Sequence, residues 1–135
     1  MPAGYSGKTV VQKLGIKPGF RIFVAGAPAD YATIVGALPE GVSTASRMAG
    51  HIDMAHVFAT RRADLARRLP SLREAIAADG MVWISWPKKA AGVATDLTDN
   101  VLRELALPLG LVDVKVCAVD ATWSGLKFVI RKSQR

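Results

Sequence analysis

Two short apolar stretches decide the fold of this chain: residues 52–59 (IDMAHVFA) and residues 81–86 (MVWISW). Each is a nearly continuous run, whereas a strand with one solvated face alternates apolar and polar side chains. Such runs are typical of strands covered on both faces, as in a parallel sheet between helices. The sequence therefore predicts that the two segments lie side by side and parallel in the interior of one sheet.

Further strands and helices surround this pair. A run of β-branched and aromatic residues at 20–25 predicts the first strand, and a weaker pattern at 42–46 predicts a short one. Amphipathic spacing and capping residues predict four helices. They are expected at 5–16, capped by Ser6 and ended by Gly15; from Pro28 to Leu38; from a Thr60 cap to Gly80, with a kink or restart at Pro70; and at 97–105.

The end of the chain has a different pattern. Segments 111–120 and 126–130 alternate apolar and polar residues, and the short turn at 121–125 predicts an antiparallel β-hairpin. Only a few residues separate the strand at 42–46 from that at 52–59, too few for a crossover helix. We therefore expect one domain over residues 1–135, an α/β fold with a reduced Rossmann-like, mostly parallel sheet, helices on both faces and a C-terminal hairpin.

Composition and charge exclude several classes of protein. Half of the 135 residues are hydrophobic and 21% are charged, so the chain can bury a core. No membrane span and no signal-peptide core are found, and we expect a cytoplasmic protein without membrane association. Cys117 is the only cysteine, which excludes an internal disulfide. The net charge of +7 favours an anionic small molecule, an acidic protein or a nucleic acid as partner.

Six motifs spread over almost the whole chain carry a resemblance to a known family. They are 4–7 (GYSG), 14–19 (LGIKPG), 85–89 (SWPKK), 92–97 (GVATDL), 110–115 (GLVDVK) and 122–128 (TWSGLKF). Together they resemble a bacterial family known only as a domain of unknown function, number thirty fifty-two. That resemblance implies no activity.

The segment 22–28 (IFVAGAP) carries a more distant resemblance. It lies where class I S-adenosylmethionine-dependent methyltransferases have an acidic, glycine-rich cofactor loop, and that fold also closes with a hairpin. Only Gly26 matches the loop, because Val24 takes the place of the acidic residue and Pro28 and Asp30 take those of the later glycines. Since such glycines let the backbone approach the cofactor, S-adenosylmethionine is disfavoured and the cofactor stays unknown.

Two further departures weaken the cofactor site that the methyltransferase resemblance implies. Ser46 and Arg47 end the weak strand, where a carboxylate would hold the ribose hydroxyls. Asp30 places a negative charge in the expected first turn of the next helix, which disfavours a phosphate there.

Candidate ligand-binding residues follow the second buried strand. Trp86, Lys88 and Lys89 are expected at the carboxyl end of the sheet, where open α/β folds bind ligands. Two lysines there can hold an acidic ligand on which Trp86 stacks. The alternative is a solvated loop with Trp86 at the rim of the core.

Two other segments carry candidate binding residues. Thr95 and Asp96 precede a helix and can orient a substrate hydroxyl or amine, although both are also favoured helix N-caps. Trp123, Ser124 and Lys127 can close over a ligand beside the Trp86 loop if the hairpin turn adjoins it. A packed tight turn is the alternative.

The remaining reactive residues favour structural roles. His51 and His56 have no metal-ligand spacing, and His56, inside a strand, is expected to be a hydrogen-bonded core residue. Cys117 is expected to be an inert thiol. The arginines of the third helix spread around its surface and predict an ordinary solvated face. They are Arg61, Arg62, Arg67, Arg68 and Arg73.

Three functions remain from the sequence, and none includes a predicted catalytic or metal-binding residue. The first is a non-catalytic binder of an anionic ligand or acidic partner at the carboxyl ends of the strands. The second is a divergent S-adenosylmethionine-dependent methyltransferase. The third is a nucleic-acid-associated regulatory protein.

Overall fold

A computed structural model describes residues 9–47 and 51–135 of the chain. Six strands form one sheet in the order β2-β1-β3-β4-β6-β5. The strands are β1 (Arg21–Ala25), β2 (Ser43–Ala45), β3 (Ile52–Phe58), β4 (Ile76–Pro87), β5 (Leu111–Ala118) and β6 (Trp123–Ile130). The helices are α1 (Val10–Leu14), α2 (Tyr31–Val35), α3 (Arg62–Ala75) and α4 (Asp99–Ala106).

The two apolar stretches form the centre of the sheet, as predicted. β3 and β4 are parallel neighbours, with Ala55 beside Val82 and Val57 beside Ile84. β1 pairs in parallel with β3 on one side and with β2 on the other. β6 is antiparallel to both β4 and β5. The predicted fold class, a mostly parallel α/β sheet with a C-terminal hairpin, is therefore confirmed.

Helices cover both faces of the sheet and make two hydrophobic cores. On one face, Leu65, Leu69 and Leu72 of α3 and Leu102 of α4 pack on the sheet. On the other face, Leu14 of α1 and Val35 of α2 pack on a smaller cluster that includes Trp83 and Met54. Trp83 donates its indole N–H to the Leu14 carbonyl at 2.8 Å, so its polar atom is satisfied although the residue is fully buried.

The first two helices are shorter than predicted. α1 begins at Val10, and Thr9 forms a reciprocal capping box with Gln12. The predicted cap, Ser6, lies outside the described residues. Gly15 ends α1 in the left-handed conformation, as predicted. α2 spans only Tyr31–Val35, so the prediction of a helix from Pro28 to Leu38 was wrong at both ends.

The third helix ends five residues before the predicted Gly80. α3 stops at Ala75, and Ile76 begins β4 beside Ile52 of β3. Helical spacing alone assigned Ile76 to α3, but this residue pairs with β3 and belongs to the strand. Pro70 lies inside α3, and the helix continues through it from Arg62 to Ala75, so of the two predicted alternatives, a kink or a restart, the restart was wrong.

The bounds of the weak strand and of the hairpin also differ from prediction. The weak strand is real but short, since β2 pairs with β1 over Ser43–Ala45. The segment 123–125, predicted as part of the hairpin turn, belongs to β6: Ser124 and Gly125 pair with both β4 and β5, and Trp123 pairs with β4. No helix among residues 9–47 and 51–135 is long and apolar enough to cross a membrane.

Candidate functional site

A cavity lies where the strand order reverses. After β1 the chain passes through α2 to β2 on one side, while β3 lies on the other side of β1. Ligands of open α/β sheets bind at such a switch point, outside the carboxyl ends of the strands. Here a cavity of about 480 Å³, called the switch cavity below, is lined by Gly26, Phe58, Ala59, Thr60, Asp64, Leu65, Arg67, Arg68, Ser71 and Trp123.

Gly26 forms part of the switch cavity for a packing reason. Its φ is +68°, and a Cβ there would lie 2.5 Å from the Phe58 carbonyl oxygen. A side chain would therefore clash with the backbone of β3, and the conformation itself favours glycine. Gly26 is the one residue that matches the cofactor loop of the methyltransferases. In this structure, glycine is needed there because the ends of β1 and β3 lie so close together.

Aromatic rings form one wall of the switch cavity. Phe58 and Trp123 meet edge to face, with ring centroids 5.0 Å apart and planes at 89°. Behind them, His56 stacks on Phe58 at 4.4 Å, and Tyr31 meets Phe58 edge-on at 5.5 Å. Edge-to-face and offset pairs are the favoured aromatic geometries. These contacts fix the orientation of the two rings that a ligand would touch.

A buried hydrogen-bond chain supports this wall. The Tyr31 hydroxyl lies 2.9 Å from Nδ1 of His56, and Nε2 of His56 lies 2.8 Å from the Ser85 hydroxyl. His56 and Ser85 are fully buried, and desolvation lowers the pKa of His56 to about 3. Burial also raises the pKa of Tyr31. At neutral pH the imidazole is uncharged, and His56 is the hydrogen-bonded core residue that the sequence predicted.

The opposite wall of the switch cavity comes from the first half of α3. Asp64, Arg67, Arg68 and Ser71 line it at the i, i+3, i+4 and i+7 positions of one helical stripe. Arg67 forms an ion pair with Asp64. Arg68 has no carboxylate partner within residues 9–47 and 51–135. The wall therefore presents one unpaired guanidinium and one paired guanidinium.

A shallower neighbouring cavity contains two of the predicted site residues. It measures about 340 Å³ and is lined by Thr60, Arg61, Ala63, Ala94, Thr95 and Asp96. Thr95 donates its hydroxyl to the Thr60 carbonyl at 2.6 Å, and the Asp96 carboxylate accepts the Arg62 N–H at 2.7 Å. The two cavities share Thr60.

These contacts correct the predicted capping roles. Neither Thr95 nor Asp96 caps the helix that follows them, because Thr98 caps α4. Asp96 instead reaches the first N–H of α3, where Thr60 was the predicted cap. A carboxylate at a helix N-terminus is favoured by the exposed N–H groups and the helix dipole. Capping rules could not find this contact from the sequence, because it joins residues 34 positions apart.

The loop after β4 adjoins the hairpin turn. Lys88 donates its backbone N–H to the Thr122 carbonyl at 2.7 Å, and Trp86 pairs with Ser124 across the strands. Trp86 is partly buried against the core under α3 and α4, the rim position weighed from the sequence. Lys89 is exposed in a single 3₁₀ turn, Lys89–Ala91. Among the residues predicted beside this loop, Trp123 lines the switch cavity.

Lys127 lies apart from the Trp86 loop. It pairs with Trp83 in the middle of β4 and lines a third cavity with Lys17 and Asp53. Desolvation lowers the pKa of Lys127, and the charges of Lys115 and Lys17 lower it further. The nine predicted binding residues are thus divided among three cavities, the loop after β4 and the strand pair that joins Trp86 to Ser124.

The residues that sequence reasoning missed are Phe58 and the polar stripe of α3. The five arginines were interpreted as a solvated face, and some are engaged in structural contacts: Arg62 pairs with Glu104, and Arg73 donates to the Leu109 carbonyl. No sequence signal distinguishes Arg67 and Arg68 from Arg61 and Arg62, which lie even closer to the end of β3. No cluster of three or more metal-ligating side chains occurs in the part of the chain that the structure describes.

Comparison with known proteins bears on the fold. No protein-family model matches the chain, and no curated protein matches it. A SAM-dependent methyltransferase from Aquifex aeolicus superposes with a TM-score of 0.66 at 12% identity, covering 90% of this chain and 88% of that one. Magnesium protoporphyrin IX methyltransferase from Synechocystis PCC 6803, with bound SAM, gives 0.59 at 12% identity, with coverages of 90% and 74%.

A third similar structure is fibrillarin from Aeropyrum pernix in complex with S-adenosyl-L-methionine. Its TM-score is 0.59 at 14% identity, and the match covers 89% of this chain and 72% of that one. At such low identity the similarity concerns the fold alone. The chain has the class I SAM-dependent methyltransferase fold.

Proposed function

We propose that this protein binds a small organic anion with a flat ring in the switch cavity, without catalysing a reaction on it. The observation that carries the proposal is the pairing of two walls: Phe58 and Trp123 on one side, Arg67 and Arg68 on the other. A guanidinium binds carboxylate or phosphate through parallel hydrogen bonds, and aromatic faces stack on flat rings. The volume of about 480 Å³ lies in the usual range for ligand pockets.

The charge of the lining supports an anion over S-adenosylmethionine. That cofactor carries a sulfonium cation, whereas Asp64, the only carboxylate among the described residues that line the cavity, is already paired with Arg67. At the end of β2, where the fold family holds the ribose with a carboxylate, this chain has the exposed Ser46 and Arg47. The described residues therefore fit the cofactor poorly, and we derive no methyl-transfer step.

A divergent methyltransferase is the second candidate. It is favoured by the fold, because similar structures from Synechocystis and Aeropyrum contain S-adenosylmethionine. The two candidates differ in the ligand charge that the switch cavity should accept. They can be separated by binding alone, without knowledge of a substrate.

The test is isothermal titration of the purified protein with three probes: ADP, pyrophosphate and S-adenosylmethionine. We expect ADP to bind more tightly than pyrophosphate, because it adds a ring to the phosphates, and S-adenosylmethionine to bind weakest. The variant Arg68→Gln should weaken ADP binding about tenfold, the loss of one charged hydrogen-bonding group. Trp123→Leu should weaken the binding of ADP but leave the binding of pyrophosphate unchanged.

Arg131→Gln is the matched control. Arg131 is exposed and follows β6, which begins at the switch cavity with Trp123 and runs away from it. ADP binding should be unchanged in this variant. Binding of S-adenosylmethionine without binding of ADP or pyrophosphate would replace the proposal with the second candidate. An equal loss in the Arg68 and Arg131 variants would show only a nonspecific charge effect and reject the assigned site.

A further inference from the structure

A second basic site lies near the opposite end of the sheet. A cavity of about 250 Å³, called the lysine cavity below, adjoins the amino ends of β1 and β3. Its lining residues are Gly15, Lys17, Phe20, Asp53, Asp79, Met81 and Lys127. It shares no residue with the switch cavity.

Two lysines face each other across the hairpin beside this cavity. Lys115 of β5 pairs directly with Lys127 of β6, and directly opposed residues of antiparallel strands project from the same face. Like charges in this position are unfavourable. The lowered pKa of Lys127, caused first by desolvation and then by Lys115 and Lys17, agrees with this crowding.

The three lysines near this cavity form no ion pair with a carboxylate of the described residues. Within the described residues, none of Lys17, Lys115 and Lys127 lies within 4.0 Å of a carboxylate oxygen. Asp53 lines the cavity but accepts the Arg21 backbone N–H at 2.8 Å and contacts His51 at 3.2 Å.

Local packing holds the basic groups in place. Lys115 donates its ammonium group to the Lys13 carbonyl at 3.3 Å, which ties β5 to α1. Lys127 is half-buried, so its stem is confined by neighbouring residues. Asp79, the second carboxylate of the lining, is exposed. The lysine cavity therefore has two lining ammonium groups, with that of Lys115 next to Lys127, and two carboxylates, one held by the Arg21 N–H and His51 and the other exposed to solvent.

We propose that the lysine cavity binds an oxyanion group, phosphate or carboxylate, of a small molecule between Lys17 and Lys127, with Lys115 alongside. An ammonium group acts as a point charge toward such groups and requires no fixed bidentate geometry. A bound oxyanion would offset the repulsion between the opposed lysines. The site is independent of the switch cavity and of the function proposed for it.

The test uses amide NMR spectra of the full chain titrated with inorganic phosphate in one arm and malonate in the other. We expect the amides of Gly15, Lys17 and Lys127 to shift saturably in at least one arm, and the responsive arm identifies the oxyanion. Lys127→Met should weaken binding about tenfold, while Lys127→Arg, which keeps the charge, should retain it. Lys132→Gln, an exposed lysine beyond β6, is the control and should bind normally.

A thermal measurement separates a binding site from ordinary solvated lysines. Without ligand, Lys127→Met should raise Tm because it removes the like-charge pair. With the same excess of ligand, the unaltered protein should gain more Tm than the variant, because tenfold weaker binding lowers the stabilisation by up to about 1.4 kcal/mol. Absence of saturable shifts in both arms would overturn the proposal. Equal losses in Lys127→Met and Lys132→Gln would also overturn it. Arg68→Gln should leave these amide shifts unchanged. The result for the lysine cavity is therefore independent of whether the switch cavity binds a ligand.

Discussion

The two faces of the sheet are buried in different ways. One face is covered by α3, with 14 residues, and α4, with 8 residues. Leucines of these helices pack on a cluster of buried hydrophobic residues. On the other face, α1 and α2 have only five residues each. The buried polar and charged side chains of the described residues all belong to this second face: Lys13, His56 and Ser85.

The difference shows how helix length determines what a sheet can bury. A long amphipathic helix presents a continuous apolar stripe, whereas a one-turn helix covers little area and leaves strand positions that need other partners. The polar groups filling that face are all satisfied, because no buried side-chain nitrogen or oxygen among the described residues lacks a hydrogen-bond partner. One face therefore depends on packed volume, and the other depends on complete hydrogen bonding.

The largest effect should come from removing volume on the apolar face. Leu69→Ala deletes a side chain that is 1% exposed, and we expect the free energy of unfolding to fall by about 3–4 kcal/mol. Urea unfolding measures it. The control Leu38→Ala changes a leucine that is 41% exposed and should cost less than about 1 kcal/mol. Equal costs would contradict the assignment of Leu69 to the core.

The polar face should respond to acid through His56. The unfolded imidazole takes up a proton near its ordinary pKa of 6.5, whereas the buried one does so only near a pKa of about 3. Between these values the unfolded state binds more protons, so stability is present above pH 6.5 and falls as the pH falls. We expect a loss of about 3 kcal/mol between pH 6.5 and 4, at up to about 1.4 kcal/mol per pH unit.

The variant His56→Gln isolates that contribution to the pH dependence. Urea unfolding of both proteins at several pH values should give a shallower slope for the variant, whatever its stability at pH 7. Acid-sensitive carboxylates are the same in both proteins and cancel in the difference. Parallel pH profiles would show that His56 does not carry the effect.

Ser85→Ala should produce a smaller loss. It leaves Nε2 of the fully buried His56 without its partner at 2.8 Å, and an unsatisfied buried polar atom costs about 2 kcal/mol. Ser43→Ala, on the exposed edge strand β2, should be nearly neutral. Similar values for the two serines in urea unfolding would mean that the hydrogen bond contributes nothing.

Tyr31→Phe should have the smallest effect of the series. The ring keeps its edge contacts with Phe58 while the hydroxyl 2.9 Å from His56 Nδ1 is lost. Because Tyr31 is only partly buried, water can replace the hydroxyl in part, and we expect a loss of about 1 kcal/mol. A loss as large as that of Leu69→Ala in urea unfolding would contradict the distinction between the two faces.

Local sequence pattern predicted the elements that depend on local physics. The parallel central pair follows from two nearly continuous apolar runs, and Gly15 ends α1 because its left-handed conformation suits glycine. The end of α3 was mispredicted because Ile76 fits both a helical stripe and a strand, and pairing with Ile52 decides between them. That pairing is a tertiary contact and leaves no local signal.

The candidate site was predicted only in part, because tertiary contacts also decide which residues line the cavity. Gly26 and Trp123 were named from the sequence and do line the switch cavity. Arg67 and Arg68 were passed over, because a helical wheel shows which residues share a stripe but not which stripe faces a cavity. Asp96 shows the same limit, since a cap donated from 34 residues away cannot be found by capping rules that look only a few positions along the chain.

The position of Trp123 has a consequence for protein synthesis. Every other lining residue of the switch cavity lies between Gly26 and Ser71, whereas this indole belongs to the final strand. The arginine wall is therefore synthesised before this indole is added to the chain. A nascent chain stopped before residue 123 has the guanidinium groups without the ring, so the proposed ligand capture by the growing polypeptide must wait until β6 is made.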